Sequence, residues 1–277
     1  IPGLCYLTAE KEYKDNGLAR VLNFSGLVPP EESRFFNWSK PFVQLETTRG
    51  CFNTCAFCVS GGEKPVRTLS IESIRHRLQI IHSHGIKNVR VLDRTFNYNP
   101  RRAKELLRLF LEFSPDICFH LEIHPALLSE ELKKELRQLP AGLLHLEAGI
   151  QSLREPVLEK SRRIGKLSDA LEGLKFLCSL SNMETHADLI AGLPLYRLDE
   201  IFEDIHRSAA NHYAYPDPHF TMTAPPKGYK PFYLSHYARH GSRYRVNSSR
   251  SRERRSTYRF RQEGPLACRQ PCARSRK

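Results

Sequence analysis

Phe42-Val43-Gln44-Leu45-Glu46-Thr47-Thr48-Arg49-Gly50-Cys51-Phe52-Asn53-Thr54-Cys55-Ala56-Phe57-Cys58 carries the strongest pattern in this chain. A β-rich lead-in, Phe42 to Leu45, runs into a loop whose cysteines at 51, 55 and 58 are spaced C-x3-C-x2-C. Three thiolates this close can converge on one soft metal centre. A structural zinc ion takes four protein ligands, most often as two paired knuckles, and the fourth is missing locally. A cubane iron–sulfur cluster tolerates three, because one iron is left for a small molecule. Three buried free cysteines, or a stray zinc site, are the bland alternatives.

Beyond the loop the pattern alternates. Residues 70–85 read as a helix: Ser70 caps it, Glu72 lies in its first turn, Ile71, Ile74, Leu78 and Ile81 share a face, and Gly85 ends it. Residues 87–92 read as a strand. Residues 100–113 form a second helix, with Pro100 at its start and Leu106, Leu107, Phe110 and Leu111 as its stripe. A strand at 117–123, a helix at 129–139, a strand at 143–150, a helix at 167–180, a strand at 184–190 and a helix from Leu198 follow. Such alternation implies parallel strands joined by right-handed crossovers. With the strand at 42–46 there are five βα units, an α/β fold.

In parallel α/β barrels, ligands gather at the carboxyl ends of the strands. Polar residues concentrate at those ends: Asp93-Arg94-Thr95-Phe96-Asn97, Glu122-Ile123-His124-Pro125, Glu147 to Ser152, and Asp188 to Pro194. The strand interiors read as apolar. His120, His124 and His145 read as isolated, structural histidines and are given no role.

The 277 residues suffice for one large domain or two small ones. No apolar run reaches the roughly 18 residues of a membrane span. Ile1-Pro2-Gly3-Leu4-Cys5 has no initiator Met and no basic or long apolar stretch. It is not a secretory signal, and it reads as a cut inside a longer chain. Cys5, Cys118, Cys178, Cys268 and Cys272 show no disulfide-framework spacing, so a reducing, cytoplasmic compartment is expected. The net charge of +13 belongs to the tail: residues 237–277 hold 13 Arg and Lys against 2 acids, leaving 30 against 28 in the rest. The body therefore offers no basic patch for nucleic acid, and a nucleic-acid partner is not expected.

The cysteine run resembles that of the radical S-adenosylmethionine (SAM) superfamily. The resemblance implies that Cys51, Cys55 and Cys58 hold a [4Fe-4S] cluster and that its free iron binds the amino and carboxylate groups of SAM. It implies a barrel of six βα units, of which the last is missing here, leaving an open sheet edge prone to aggregation. It places Phe57 beside the adenine. The chemistry implied is one-electron cleavage of SAM to a 5′-deoxyadenosyl radical, fed by a donor such as flavodoxin or ferredoxin, on an unknown substrate.

Glu122-x-x-Pro125, Gly149-x-Gln151-Ser152 and Asp188-Leu189-Ile190-x-Gly192-Leu193-Pro194 resemble the oxygen-independent coproporphyrinogen oxidases. Asp93 to Asn97 resembles radical SAM proteins with a cobalamin domain ahead of the barrel. By that resemblance Asp93, Glu122, Gln151 and Asp188 contact SAM, and Arg162 pairs with its carboxylate, a geometry that suits an Arg fork. Gly61-Gly62-Glu63 matches the superfamily's Gly-Gly-Glu signature only by letters, because it follows the cysteines instead of ending the second strand. Residues 1–40 are expected to be the linker from an absent cobalamin domain, so cobalamin is not expected on this chain. Residues 41–203 are expected to form the barrel.

At about residue 204 the pattern changes. Arg239-His240-Gly241-x-Arg243 resembles the start of histidine acid phosphatases, in which the His is phosphorylated and the Arg pair holds the phosphate. The second catalytic element of that family is missing, so residues 204–245 are expected to be an inactive fragment. Residues 246–277, rich in Arg and Ser, read as a disordered basic tail. A phosphohydrolase, or a non-catalytic metal or nucleic-acid binder, is the alternative to a radical SAM enzyme.

Overall fold

Local signals set most element boundaries. The Ser70 hydroxyl accepts the Ser73 amide at 3.1 Å, and Ser129 accepts from Leu132 at 3.2 Å. Asn99 accepts from Arg101 and Arg102 just ahead of Pro100. Each such cap satisfies amides that the first helical turn leaves unpaired. In this computed structural model, which describes residues 1–17, 27–61, 63–210, 218–223 and 232–238, the elements run as follows. A hairpin of β1 (Cys5–Leu7) and β2 (Tyr13–Asp15) precedes β3 (Val43–Leu45), β4 (Thr48–Arg49) and β5 (Arg67–Thr68). Then come α1 (Ile71–Ser83), β6 (Asn88–Val91), α2 (Pro100–Leu111), β7 (Cys118–Ile123), α3 (Glu130–Gln138) and β8 (Leu144–Gln151). α4 (Glu155–Lys160), α5 (Leu167–Cys178), β9 (Glu184–Ala191), α6 (Leu198–Ala210), β10 (Pro218–Thr223) and β11 (Phe232–Ala238) complete the order.

The main sheet runs β10-β11-β9-β8-β7-β6-β3. Its five strands β3, β6, β7, β8 and β9 are parallel, the α/β partial barrel expected. One face is apolar: Val89, Phe119, Leu121, Leu144 and Leu146 are buried there beneath Leu106, Leu107 and Phe110. Phe110 stacks on Phe119 with centroids 4.0 Å apart. In α2, Leu111 is exposed and Leu109 is buried in its place.

Three expectations change. First, β9 is not an open edge. β11 pairs antiparallel with it, Ser235 opposite Asp188, and β10 pairs with β11. Both strands come from the segment 204–245 that reads as a separate piece. Second, part of the 1–40 linker is built into the fold. Glu31 is buried and takes the Arg77 guanidinium of α1 in two hydrogen bonds, at 2.9 and 2.7 Å, and Trp38 stacks on His84 at 3.7 Å. Third, the second face of the strands is polar throughout, as described below. Arg239, His240 and Arg243, the tail at 246–277 with Cys268 and Cys272, and Gly62 lie outside the described residues. Among the described residues, no helix is long and apolar enough to cross a membrane.

Candidate functional site

The cysteine loop leaves the sheet after β3 and is closed at its base by β4 and β5, Thr48 opposite Thr68 and Arg49 opposite Arg67. Gly50 turns the chain at φ +98°. A Cβ there would lie 2.5 Å from the Glu63 carbonyl oxygen, so only glycine fits. The Cys51 amide then donates to that same Glu63 oxygen at 3.0 Å. The Glu63 carboxylate pairs with Arg67. This residue braces the loop, in keeping with its position after the cysteines.

Cys51 and Cys55 are buried, at 7% and 6% exposure, and Cys58 is half-buried. Burial pushes the Cys55 thiol up, the charges of Cys58 and Cys51 add to that, and Arg163 opposes it. Arg163 Nη1 is 3.9 Å from Cys55 Sγ, and its Nη2 donates to the Gly149 carbonyl at 2.7 Å. The Ala56 amide donates to the Ser161 carbonyl at 2.9 Å. Two contacts thus tie the cysteine loop to the segment after β8.

The carboxyl ends of the strands are stitched by buried polar side chains. Asp93, 1% exposed, accepts from the Thr47 amide at 2.9 Å, from the Thr48 amide at 2.8 Å and from the Thr47 hydroxyl. Asn97 exchanges two hydrogen bonds of 2.9 Å with the backbone of His124. Between these ends opens a cleft of about 320 Å³ counted to its mouth, lined by Arg94, Glu122, Glu147, Gln151, Arg163 and Asp188 among others.

Glu122, Gln151 and Asp188 meet in this cleft. Asp93 does not line it: its oxygens accept from Thr47 and Thr48, on the backbone that leads to Cys51. Arg162 does not line it either. It is exposed, with φ +55°, and the inward-facing guanidinium is that of Arg163. Phe57 is half-buried against the core beside Cys58. Gly149 matters by its small size: a Cβ there would lie 2.5 Å from Gln151 Nε2 and 3.3 Å from Arg163 Nη2.

The electrostatics are uneven. Glu122 is pushed up to about 7 by burial and then by the neighbouring Glu147 charge, against Arg94. Burial would raise Glu147 as well, but hydrogen bonding with His120 and His186 holds it well below the ordinary carboxylate range. His124 is driven down to about 3 by burial and by Arg163.

His120 and His145 are not isolated. His120 Nε2 lies 2.9 Å from Glu147 Oε2, His145 Nε2 lies 2.8 Å from His186 Nδ1, and His186 Nε2 lies 3.5 Å from Glu147 Oε2. Sequence reading passed over His186 and took the strand interiors as apolar. Strand parity carried the signal: His120-x-Glu122, His145-x-Glu147-x-Gly149 and His186-x-Asp188 each set polar residues on one face.

Residues 45–207 match the Radical SAM superfamily. An uncharacterized methyltransferase of Pyrococcus horikoshii is 28% identical over 170 residues, 60% of this chain and 35% of that protein. The ribosomal protein uS12 methylthiotransferase RimO of Moorella thermoacetica is 26% identical over 171 residues, 58% of this chain and 39% of that protein. The chain thus spans between a third and two fifths of these curated relatives. Among solved structures, the cobalamin-dependent SAM radical enzyme OxsB is similar with a TM-score of 0.55 at 19% identity, over 75% of this chain and 32% of that one. The radical SAM methyltransferase TsrM of Kitasatospora setae gives 0.52 at 19% identity, over 61% and 34%. The match covers more than half the sequence and the fold agrees with it: this chain belongs to the radical SAM superfamily.

Proposed function

We propose that Cys51, Cys55 and Cys58 hold a [4Fe-4S] cluster and that the strand-end cleft beside them takes SAM. The observation that carries this reading is the double reach of Arg163, which touches Cys55 Sγ with one nitrogen and the wall of the cleft with the other. The donor set fits a cubane: three thiols on one braced loop, with the Arg163 guanidinium beside Cys55, where a positive charge favours thiolate. When bound, the cluster and SAM supply reductive cleavage of the sulfonium and a 5′-deoxyadenosyl radical.

The chain's own residues have separable tasks. Asp93 positions the cysteine arm. Arg163 offers a planar donor fork for a carboxylate. Glu122, Gln151 and Asp188 face the cleft with acceptors suited to hydroxyl and amino groups. The Gln151 Oε1 atom is buried with no hydrogen-bond partner within the described residues, which suits it to a ligand's donor. Phe57 offers an apolar face for a base. Arg94 and Arg163 offset the carboxylates around the cavity. A flavodoxin- or ferredoxin-class protein is the proposed electron source. The curated relatives make methyl or methylthio transfer the first reaction to assay.

Anaerobic incubation with iron and sulfide tests the reading. The expected product holds about four irons and four acid-labile sulfides per chain, and Cys51→Ala does not form it. Loaded protein should bind SAM, with Arg163→Ala weakening binding and Arg162→Ala leaving it unchanged. Zinc bound without sulfide, or SAM affinity indifferent to Arg163, overturns the assignment.

A further inference from the structure

We propose that His120, Glu147 and His186 form a second metal site, a two-histidine, one-carboxylate site for a divalent transition ion at the floor of the cleft. The site is separate from the cysteine loop and does not depend on a cluster there. Its ligand atoms, His120 Nε2, Glu147 Oε2 and His186 Nε2, all lie within 4.8 Å of one another. Metal bonds of about 2.1 Å in tetrahedral geometry put ligand atoms roughly 3.4 Å apart. The observed separations of 2.9 Å from His120 to Glu147 and 3.5 Å from His186 to Glu147 need only sub-ångström adjustment. Imidazole with one carboxylate is a donor set that suits zinc, iron, cobalt or nickel.

Three adjacent strands in parallel register hold the ligands. Glu122, Glu147 and His186 form one cross-strand row, and His120, His145 and Glu184 form the next, farther from the carboxyl ends. Ligands on neighbouring strands are held more exactly in place than ligands on loops. An outer partner is also present. His145 Nε2 meets His186 Nδ1 at 2.8 Å, and His145 Nδ1 lies 3.8 Å from Glu184 Oε2. This is the carboxylate–histidine arrangement that orients a metal-bound imidazole.

The surroundings agree. His186 is 3% exposed, and His120 and Glu147 are half-buried. Glu147 also lines the cleft, so an ion on these three ligands keeps a coordination position open toward whatever the cleft binds.

Cobalt(II) is the probe, added to the full chain carrying Cys51→Ser, Cys55→Ser and Cys58→Ser so that those thiolates cannot compete. The expected result is one cobalt per chain, with visible bands of nitrogen and oxygen ligation and no thiolate charge-transfer band, displaced by zinc. His120→Ala with His186→Ala should abolish it, and His145→Phe should weaken it roughly 10- to 100-fold. Should those variants not fold, X-ray absorption at the cobalt edge of the chain with its histidines intact decides, with imidazole scattering and no sulfur expected. Absence of stoichiometric cobalt, sulfur in the first shell, or an unchanged spectrum in a folded His120→Ala, His186→Ala chain overturns the proposal. Iron–sulfur assembly on the unsubstituted chain is read separately, so either result can fail alone.

Discussion

Replacing Asp93 with alanine should damage the cysteine loop without touching a cysteine. Asp93 is 1% exposed and accepts three hydrogen bonds, from two amides and one hydroxyl of Thr47 and Thr48, which are themselves 0% and 5% exposed. Alanine leaves all three donors buried and unpaired. A buried orphan donor costs about 1–3 kcal/mol, so taking the low end for each of the three gives a loss of about 3 kcal/mol. Domains of this kind are stable by only about 5–15 kcal/mol. Asparagine retains one carbonyl oxygen for both amides, and its amide nitrogen can donate to the Thr47 hydroxyl oxygen, so its loss should be about 1–2 kcal/mol. Urea unfolding followed by far-ultraviolet circular dichroism measures both. Sulfide content after anaerobic loading, taken well below the unfolding midpoint, reads the loop. The order should be parent, Asp93→Asn, Asp93→Ala in both measurements. An alanine variant within 1 kcal/mol of the parent, with normal sulfide content, would refute the clamp.

Other perturbations test other layers. Gly173 in α5 faces Pro125, and a Cβ there would lie 2.1 Å from the Pro125 carbonyl oxygen. Helix propensity favours Gly173→Ala by about 1 kcal/mol, whereas overpacking costs about 1–3 kcal/mol; net destabilisation in a melting curve is expected. Glu31→Ala strands the Arg77 guanidinium, 9% exposed, and should cost about 3–5 kcal/mol as a broken buried pair, measured by the same urea titration. His124, at about 3 when folded against an ordinary 6.5, contributes stability that is present above 6.5 and lost as pH falls toward 3. At 1.36 kcal/mol per pH unit, the parent should lose about 2 kcal/mol more than His124→Gln between pH 7 and pH 5. Parallel pH profiles would count against that account.

Local information made the barrel readable. Caps at Ser70, Asn99 and Ser129, the glycine at 85 and the helical stripes act within a few residues, so sequence exposes them directly. The cysteine spacing is equally local. What escaped depends on contacts far apart in the chain. Asp93 ends a strand just as Glu122 does, and whether a carboxylate faces the cleft or the backbone is set by amides 46 and 45 positions away. Arg162 and Arg163 are neighbours in an irregular turn after α4, where no periodicity says which points inward; the φ of +55° at Arg162 sends its side chain out. The histidine network was readable by strand parity. Each histidine, taken singly, looked ordinary, and only the registry of β7, β8 and β9 joins them. The pairing of β11 with β9 had no local sign at all.

That pairing asks little of sequence. A strand edge recognises main chain, because the ladder is made of amides and carbonyls that every residue but proline supplies. The six residues Phe232–Tyr237 answer β9 through that common vocabulary. A parallel sheet left with a bare flank can therefore accept a finishing strand of many different sequences.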